Sequence, residues 1–139
     1  ATLYAGADYP VHANDYVLAI AMIETAAALE QLDEILETPG LDAIYVGPAD
    51  LSISLGVAQR VDQDDPVMVA ALDRILQAAQ RRGIPAGLHT GSAAYAGRMF
   101  AQGWRLATVQ TDAAFLEAGA QAVLGHLRGD RTSQRSGPY

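Results

Sequence analysis

Four times along this chain a short apolar run gives way to a polar turn and then to a segment with apolar side chains at helical spacing. The first run, residues 17–23, is continuous and partly β-branched, the pattern of a strand buried on both faces in a parallel sheet. Thr25 is a capping residue, and Leu29, Leu32, Ile35 and Leu36 follow on one face, so an amphipathic helix is predicted over 26–36, stopped by Pro39 and Gly40. Residues 41–46 are the second predicted strand. It runs into Gly47-Pro48-Ala49-Asp50-Leu51-Ser52, where Asp50 or Ser52 is expected to cap a short helical turn ending near Gly56.

A polar linker over 59–65 precedes Pro66, a residue favoured at the first position of a helix. Val69, Leu72, Ile75, Leu76 and Ala79 then recur at helical spacing, which predicts a helix over 67–82 ended by Gly83. Residues 84–89 read as a weaker strand, and Ser92 or a neighbour caps a helix running through Phe100 to its stop at Gly103. A last strand over 106–109 and a last helix over 113–127 complete the pattern. No hairpin signal interrupts it, so the fold class is parallel α/β, arranged as four strand-helix units. One domain is expected over residues 1–128, with a flexible polar tail over 129–139 that is too poor in apolar residues to order itself.

Four units are too few to close a (β/α)₈ barrel, which takes about 250 residues. The chain is therefore expected either to be half of such a barrel, with a preceding half elsewhere, or to form a small doubly wound sheet. It opens at Ala1 inside a stretch that already carries turn chemistry, which leads to the expectation of an incomplete N-terminus.

Composition narrows the partners. With 139 residues, half of them apolar, the chain can bury one real core. Its formal net charge of −7, with no stripe of Lys or Arg, makes nucleic acid and anionic membrane poor partners. The longest apolar run is far shorter than the roughly 20 residues a membrane-spanning helix needs. Cysteine is absent, so nothing points to a disulfide-stapled secreted fold, and the cytoplasm is the expected compartment.

In parallel α/β folds the polar residues at the C-terminal ends of strands face the ligand site, because the βα loops gather there. That rule selects Glu24, Asp50, His89 and the group Gln110-Thr111-Asp112. Glu24 follows an apolar strand directly and Asp50 follows the next by one Gly-Pro-Ala turn, so the two carboxylates can converge. Hard oxygen ligands of this kind suit Mg²⁺ or Mn²⁺. Each also has a plainer reading, Glu24 as a helix cap beside Thr25 and Asp50 as an N-cap alone. Backbone N–H groups in the 47–52 loop form a ready site for a carboxylate or phosphate, or simply a tight turn. His89 could hydrogen-bond a substrate, or only line the pocket or bond its own loop. His12 and His126 have no convergent partners and are read as structural or surface residues. No Ser-His-Asp arrangement, cysteine nucleophile, GxGxxG or phosphate-binding Lys loop is present.

At Ala21-Met22-Ile23-Glu24-Thr25, together with the run from Leu41 to Ser52, the sequence closely resembles the HpcH/HpaI aldolase and citrate lyase superfamily. The branch it most resembles is that of the 4-hydroxy-2-oxoheptanedioate and 2-dehydro-3-deoxyglucarate aldolases. The likeness runs from about residue 4 to about residue 128 and includes Gly87-Leu88-His89-Thr90-Gly91-Ser92. It implies a (β/α)₈ TIM barrel of which this chain is similar to strands five to eight. It also implies a class II aldolase that joins pyruvate to an aldehyde with a divalent cation (Mg²⁺, Mn²⁺ or Co²⁺) held by Glu24 and Asp50. Pyruvate would bind partly through backbone amides of Ala49 and Asp50, with His89 lining the substrate pocket. The family's catalytic His and Arg lie in the earlier strands, so no residue here matches them, and this chain alone is expected to be inactive. The family forms oligomers, which makes a homo-oligomer the expected assembly. Two other readings remain: an acyl-CoA lyase of the citrate lyase beta type, which would need a basic groove, and a non-catalytic half-barrel acting as an assembly module.

Overall fold

The computed structural model describes Gly6 and residues 8–129; the tail expected to be flexible falls, past Gly129, outside the described residues. The chain divides between Val109 and Gln110 into two units. In the first, helix α1 (Tyr9–Tyr16) precedes strand β1 (Ile20–Ile23), short helices α2 (Ala26–Glu30) and α3 (Leu32–Leu36), and strand β2 (Ala43–Val46). Helices α4 (Pro48–Ser54) and α5 (Pro66–Arg81), strand β3 (Ala86–Thr90), helix α6 (Ala93–Gln102) and strand β4 (Leu106–Val109) complete it. The second unit holds helix α7 (Asp112–Leu127). No helix among the described residues is long and apolar enough to cross a membrane.

The four strands are all parallel and stand in chain order, β1-β2-β3-β4. Ile23, Val46, Leu88 and Ala107 form one row across the sheet, and this face meets the helices. Leu29, Leu32 and Leu36 of α2 and α3, Leu51 of α4, and Met68, Leu72, Ile75 and Leu76 of α5 pack on it, with Tyr95, Met99 and Trp104 closing the core. Helices α2 to α6 pack on a single face, over strands that never reverse their order, whereas a doubly wound sheet carries helices on both faces.

The other face departs from expectation. Residues 17–23 were expected to form a strand buried on both sides, yet β1 starts only at Ile20, and Ile20 and Met22 are 45% and 54% exposed. They lie on the face away from the helices, with Tyr45, Gly87 and Leu106 in the row of Met22, and no other described residue of this unit covers that face. An apolar run can therefore be continuous while only alternate side chains find partners.

Local signals account for most element ends. Thr25 caps α2 by accepting the Ala28 N–H at 3.0 Å, and Asp65 caps α5 by accepting that of Val67 at 2.8 Å. Ser92 caps α6 through Tyr95, and Gly103, at φ 112°, closes it in the left-handed conformation that favours glycine. Neither Asp50 nor Ser52 caps α4. The helix begins earlier, with Gly47 as N-cap and Pro48 as first residue, since a proline N–H is not needed there, and Ser52 instead donates to the Ala49 carbonyl at 2.7 Å. The predicted helix over 26–36 is interrupted at Gln31, whose ψ of 16° leaves the helical range; nothing in the sequence marks the break. On α5, Leu72, Ile75, Leu76 and Ala79 are buried as predicted, but the stripe begins at Met68, while Val69 is half exposed.

Because α5 buries one face only, Ile75→Ala should lower stability by about 2–5 kcal/mol, whereas Val69→Ala, half exposed on the same helix, should stay within about 0.5 kcal/mol. Urea denaturation of the two variants checks this; equal costs would contradict the packing described.

Candidate active site

The C-terminal ends of β1, β2 and β3 bring three of the sequence-predicted residues to one rim. Pairing of Ile23 with Val46 sets the ends of β1 and β2 level, and the Gly47 N–H donates to the Ile23 carbonyl just beyond the last pair. Glu24 thus rises from the end of β1 beside Gly47. Thr25 carries the helix cap, which leaves the Glu24 carboxylate free of the capping role. Asp50 lies in the first turn of α4, where a carboxylate is favoured by the helix dipole.

Gly47 is the point on which the two acids meet. A Cβ built on it would stand 3.0 Å from Glu24 Oε2 and 3.8 Å from Asp50 Oδ2. Both carboxylates therefore reach one small volume that only a glycine leaves open. The loops that carry them are tied together by Ser54 at the end of α4, whose Oγ accepts the Ala26 N–H at 2.8 Å. Among the described residues neither carboxylate has a Lys or Arg ion partner, so two like charges share the rim. No group of three or more His, Cys, Asp or Glu among those residues is placed to hold a metal ion by itself. Two hard oxygen donors, Asp50 exposed and Glu24 partly so, fit an oxygen-ligated divalent cation that keeps its remaining positions for water and substrate.

His89 stands one residue past the Val46 and Leu88 pair, so it lies next to Gly47 along the same rim. It is half-buried, with Nδ1 2.8 Å from Thr108 Oγ1. The Ala49 and Asp50 N–H groups lie in the first turn of α4, where helices leave such donors without an intrahelical acceptor. The group after β4 has local roles: Thr111 caps α7 through the Ala114 N–H, Asp112 accepts the Ala113 N–H, and Gln110 adopts φ 57°, unusual for a side-chain-bearing residue. His12 faces Asp15 at 3.2 Å on exposed α1, and His126 is exposed in the last turn of α7.

Two contributors were not singled out from the sequence. Asp62, inside the polar linker, accepts the Gly91 N–H at 2.7 Å and the Ser92 hydroxyl at 2.6 Å, fastening the linker to the loop that follows His89. Ser54 is the other. Both act across about 30 positions of sequence, a distance at which no local pattern signals a hydrogen bond. Nearby, Tyr95 has its hydroxyl pushed up from the ordinary phenol value, first by burial and, further, by the Asp62 charge, against a lowering bond from the Gln63 backbone.

This arrangement can be set beside known proteins. A family model described as HpcH/HpaI aldolase/citrate lyase matches residues 5–121. The chain is 35% identical over 127 residues to a hydroxypyruvate/pyruvate aldolase of Rhizorhabdus wittichii, covering 91% of this chain and 51% of that protein. It is 29% identical over 132 residues to a 4-hydroxy-2-oxo-heptane-1,7-dioate aldolase of Escherichia coli, covering 95% and 50%. The crystal structure of a HpcH/HpaI aldolase/citrate lyase family protein from Burkholderia cenocepacia superposes with a TM-score of 0.79 at 33% identity, over 89% of this chain and 48% of that one. The chain thus spans about half the length of the relatives it matches. The family model covers most of the chain, and the chain belongs to the HpcH/HpaI aldolase/citrate lyase family.

Proposed function

We propose that this chain, over residues 1–128, supplies strands five to eight of a (β/α)₈ barrel. The complete barrel is then a class II aldolase that cleaves or forms a 4-hydroxy-2-oxo acid, from or to pyruvate and an aldehyde. The observation that carries the reading is the convergence of Glu24 and Asp50 over Gly47. The uncovered sheet face supports it too, since in a closed barrel that face would line the interior.

In this reading Glu24 and Asp50 hold one divalent cation, Mg²⁺, Mn²⁺ or Co²⁺. When bound, it supplies Lewis-acid stabilisation of the charge that develops on the 2-oxo group. The Ala49 and Asp50 backbone N–H groups hold the pyruvate carboxylate, and His89 contacts the aldehyde portion. Cleavage takes the proton from the 4-hydroxyl, breaks the C3–C4 bond, releases the aldehyde and returns a proton to C3 of the pyruvate enolate. The base and the charge-stabilising arginine come from strands one to four. The relatives described above are aldolases, which favours this reading over an acyl-CoA lyase. Paired acids at the rim disfavour a purely structural module, which has no use for two like charges brought together.

For the metal site, calorimetric titration of the complete protein with Mn²⁺ should show one site, lost in Glu24→Gln; unchanged binding in that variant would overturn the assignment. Assembly is a second expectation. Helix α7 buries none of its residues, and Phe115, Leu116 and Leu124 are 58%, 76% and 46% exposed, so in this reading it packs on a neighbouring subunit of a homo-oligomer. Leu116→Glu with Leu124→Glu should shift the sedimentation coefficient towards monomer before the protein unfolds, and an unchanged oligomer would contradict the contact.

A further inference from the structure

The uncovered sheet face carries a second polar group, built from one residue on each of three strands. The Tyr45 hydroxyl on β2 is hydrogen-bonded to Thr108 Oγ1 on β4, and Thr108 Oγ1 lies 2.8 Å from His89 Nδ1 on β3. β2 and β4 are not neighbours, so Tyr45 must cross β3 to reach its partner. It can do so because the β3 residue paired with Tyr45 is Gly87. A Cβ on Gly87 would stand 3.1 Å from Tyr45 Cδ2 and 3.0 Å from Leu106 Cβ, so the phenol ring occupies the room a side chain would take. Thr90, fully buried beneath, donates to the Thr108 carbonyl at 2.9 Å and fixes the strand that carries the central hydroxyl.

Counting protons orients the chain. The Thr108 hydroxyl has one proton and two partners, so it donates to one and accepts from the other. A phenol, with an ordinary pKa of about 10, is the strongest donor of the three and a neutral imidazole nitrogen the strongest acceptor. The matched order is Tyr45 donating to Thr108 Oγ1, and Thr108 donating to His89 Nδ1. Nδ1 is then unprotonated, and the single ring proton sits on Nε2.

We propose that Tyr45 and Thr108 are positioning residues that hold His89 as the Nε2–H tautomer, a fixed hydrogen-bond donor on the rim beside the carboxylates. On the aldolase reading above, on which this step rests, that donor makes the pocket select aldehydes carrying an oxygen acceptor next to the carbonyl over aliphatic aldehydes of the same size. An aliphatic partner leaves the Nε2–H without an acceptor inside the closed site, a loss that a hydrogen-bonding pocket penalises.

The test uses the complete protein, labelled with ¹⁵N-histidine and assigned through His89→Gln. Long-range ¹H–¹⁵N spectra above pH 8 should show His89 protonated at Nε2 alone. Thr108→Val should convert it to a mixture of tautomers, and Thr108→Ser, which restores the hydroxyl, should restore the single form. In parallel, the ratio of kcat/KM for glycolaldehyde to that for propanal, two aldehydes of nearly equal size, should fall about twofold in Thr108→Val, as the Nε2–H form drops from the whole population to a share of it, and recover in Thr108→Ser. A native His89 protonated at Nδ1, or a tautomer indifferent to Thr108→Val, overturns the relay. An unchanged aldehyde ratio with the expected tautomer overturns the selectivity. A complete protein with no aldol activity defeats the underlying reading and the selectivity with it, while the tautomer spectra still decide the relay.

Discussion

The parallel register that sets Ile23 opposite Val46 governs the rest of this molecule. It levels the ends of β1 and β2, so residues leaving those ends share one height, and the Gly47 N–H extends the ladder by one bond to Ile23. On the helix side the same register aligns Ile23, Val46, Leu88 and Ala107 into the apolar row on which the core is built. On the rim it puts Glu24 and Asp50 within reach of one another over a residue without a side chain. A slip of one position would turn the core row outward and part the acids at once.

Energetics and chemistry are thus separated by face. Helix packing on one side supplies the burial that stabilises the unit, with Ile23, Val46, Leu51, Met68, Ile75 and Leu88 fully inaccessible to solvent. The opposite side keeps Tyr45, His89 and Thr108 in a polar chain among exposed Ile20, Met22 and Leu106. Rim side chains stand on strands and a helix start anchored by that core, so their positions are set by elements rather than by free loops. Two side-chain bonds, Ser54 to Ala26 and Asp62 to Gly91 and Ser92, brace the connecting segments.

Much of this was legible in the sequence, for reasons that differ by element. Pro66, Gly103 and the capping residues Thr25 and Ser92 mark their helix ends because each meets a local backbone need. β4 falls on the predicted residues, and β3 is shifted by one or two. Helix α1 was not foreseen, since an exposed helix that buries nothing leaves no apolar stripe to read. The length of β1 and its exposed half were misjudged because a continuous apolar run does not state which side chains find a neighbour. Of the candidate site, Glu24, Asp50 and His89 could be picked from strand ends alone. Gly47 as the meeting point, Asp62 as a brace and the bond from Tyr45 to Thr108 could not, since each depends on residues far apart in sequence that only the register brings together.

The absent side chain at Gly47 is what would let Glu24 and Asp50 meet around one cation. Gly47→Ala adds a Cβ 3.0 Å from Glu24 Oε2 and 3.3 Å from Glu24 Cβ, at a backbone conformation with negative φ that alanine can adopt. The most direct measurement is the Mn²⁺ affinity of this variant in the complete protein, read alongside its thermal midpoint. Affinity should fall at least tenfold, about 1.4 kcal/mol, with the midpoint close to that of the native protein. Native affinity in the variant would contradict it.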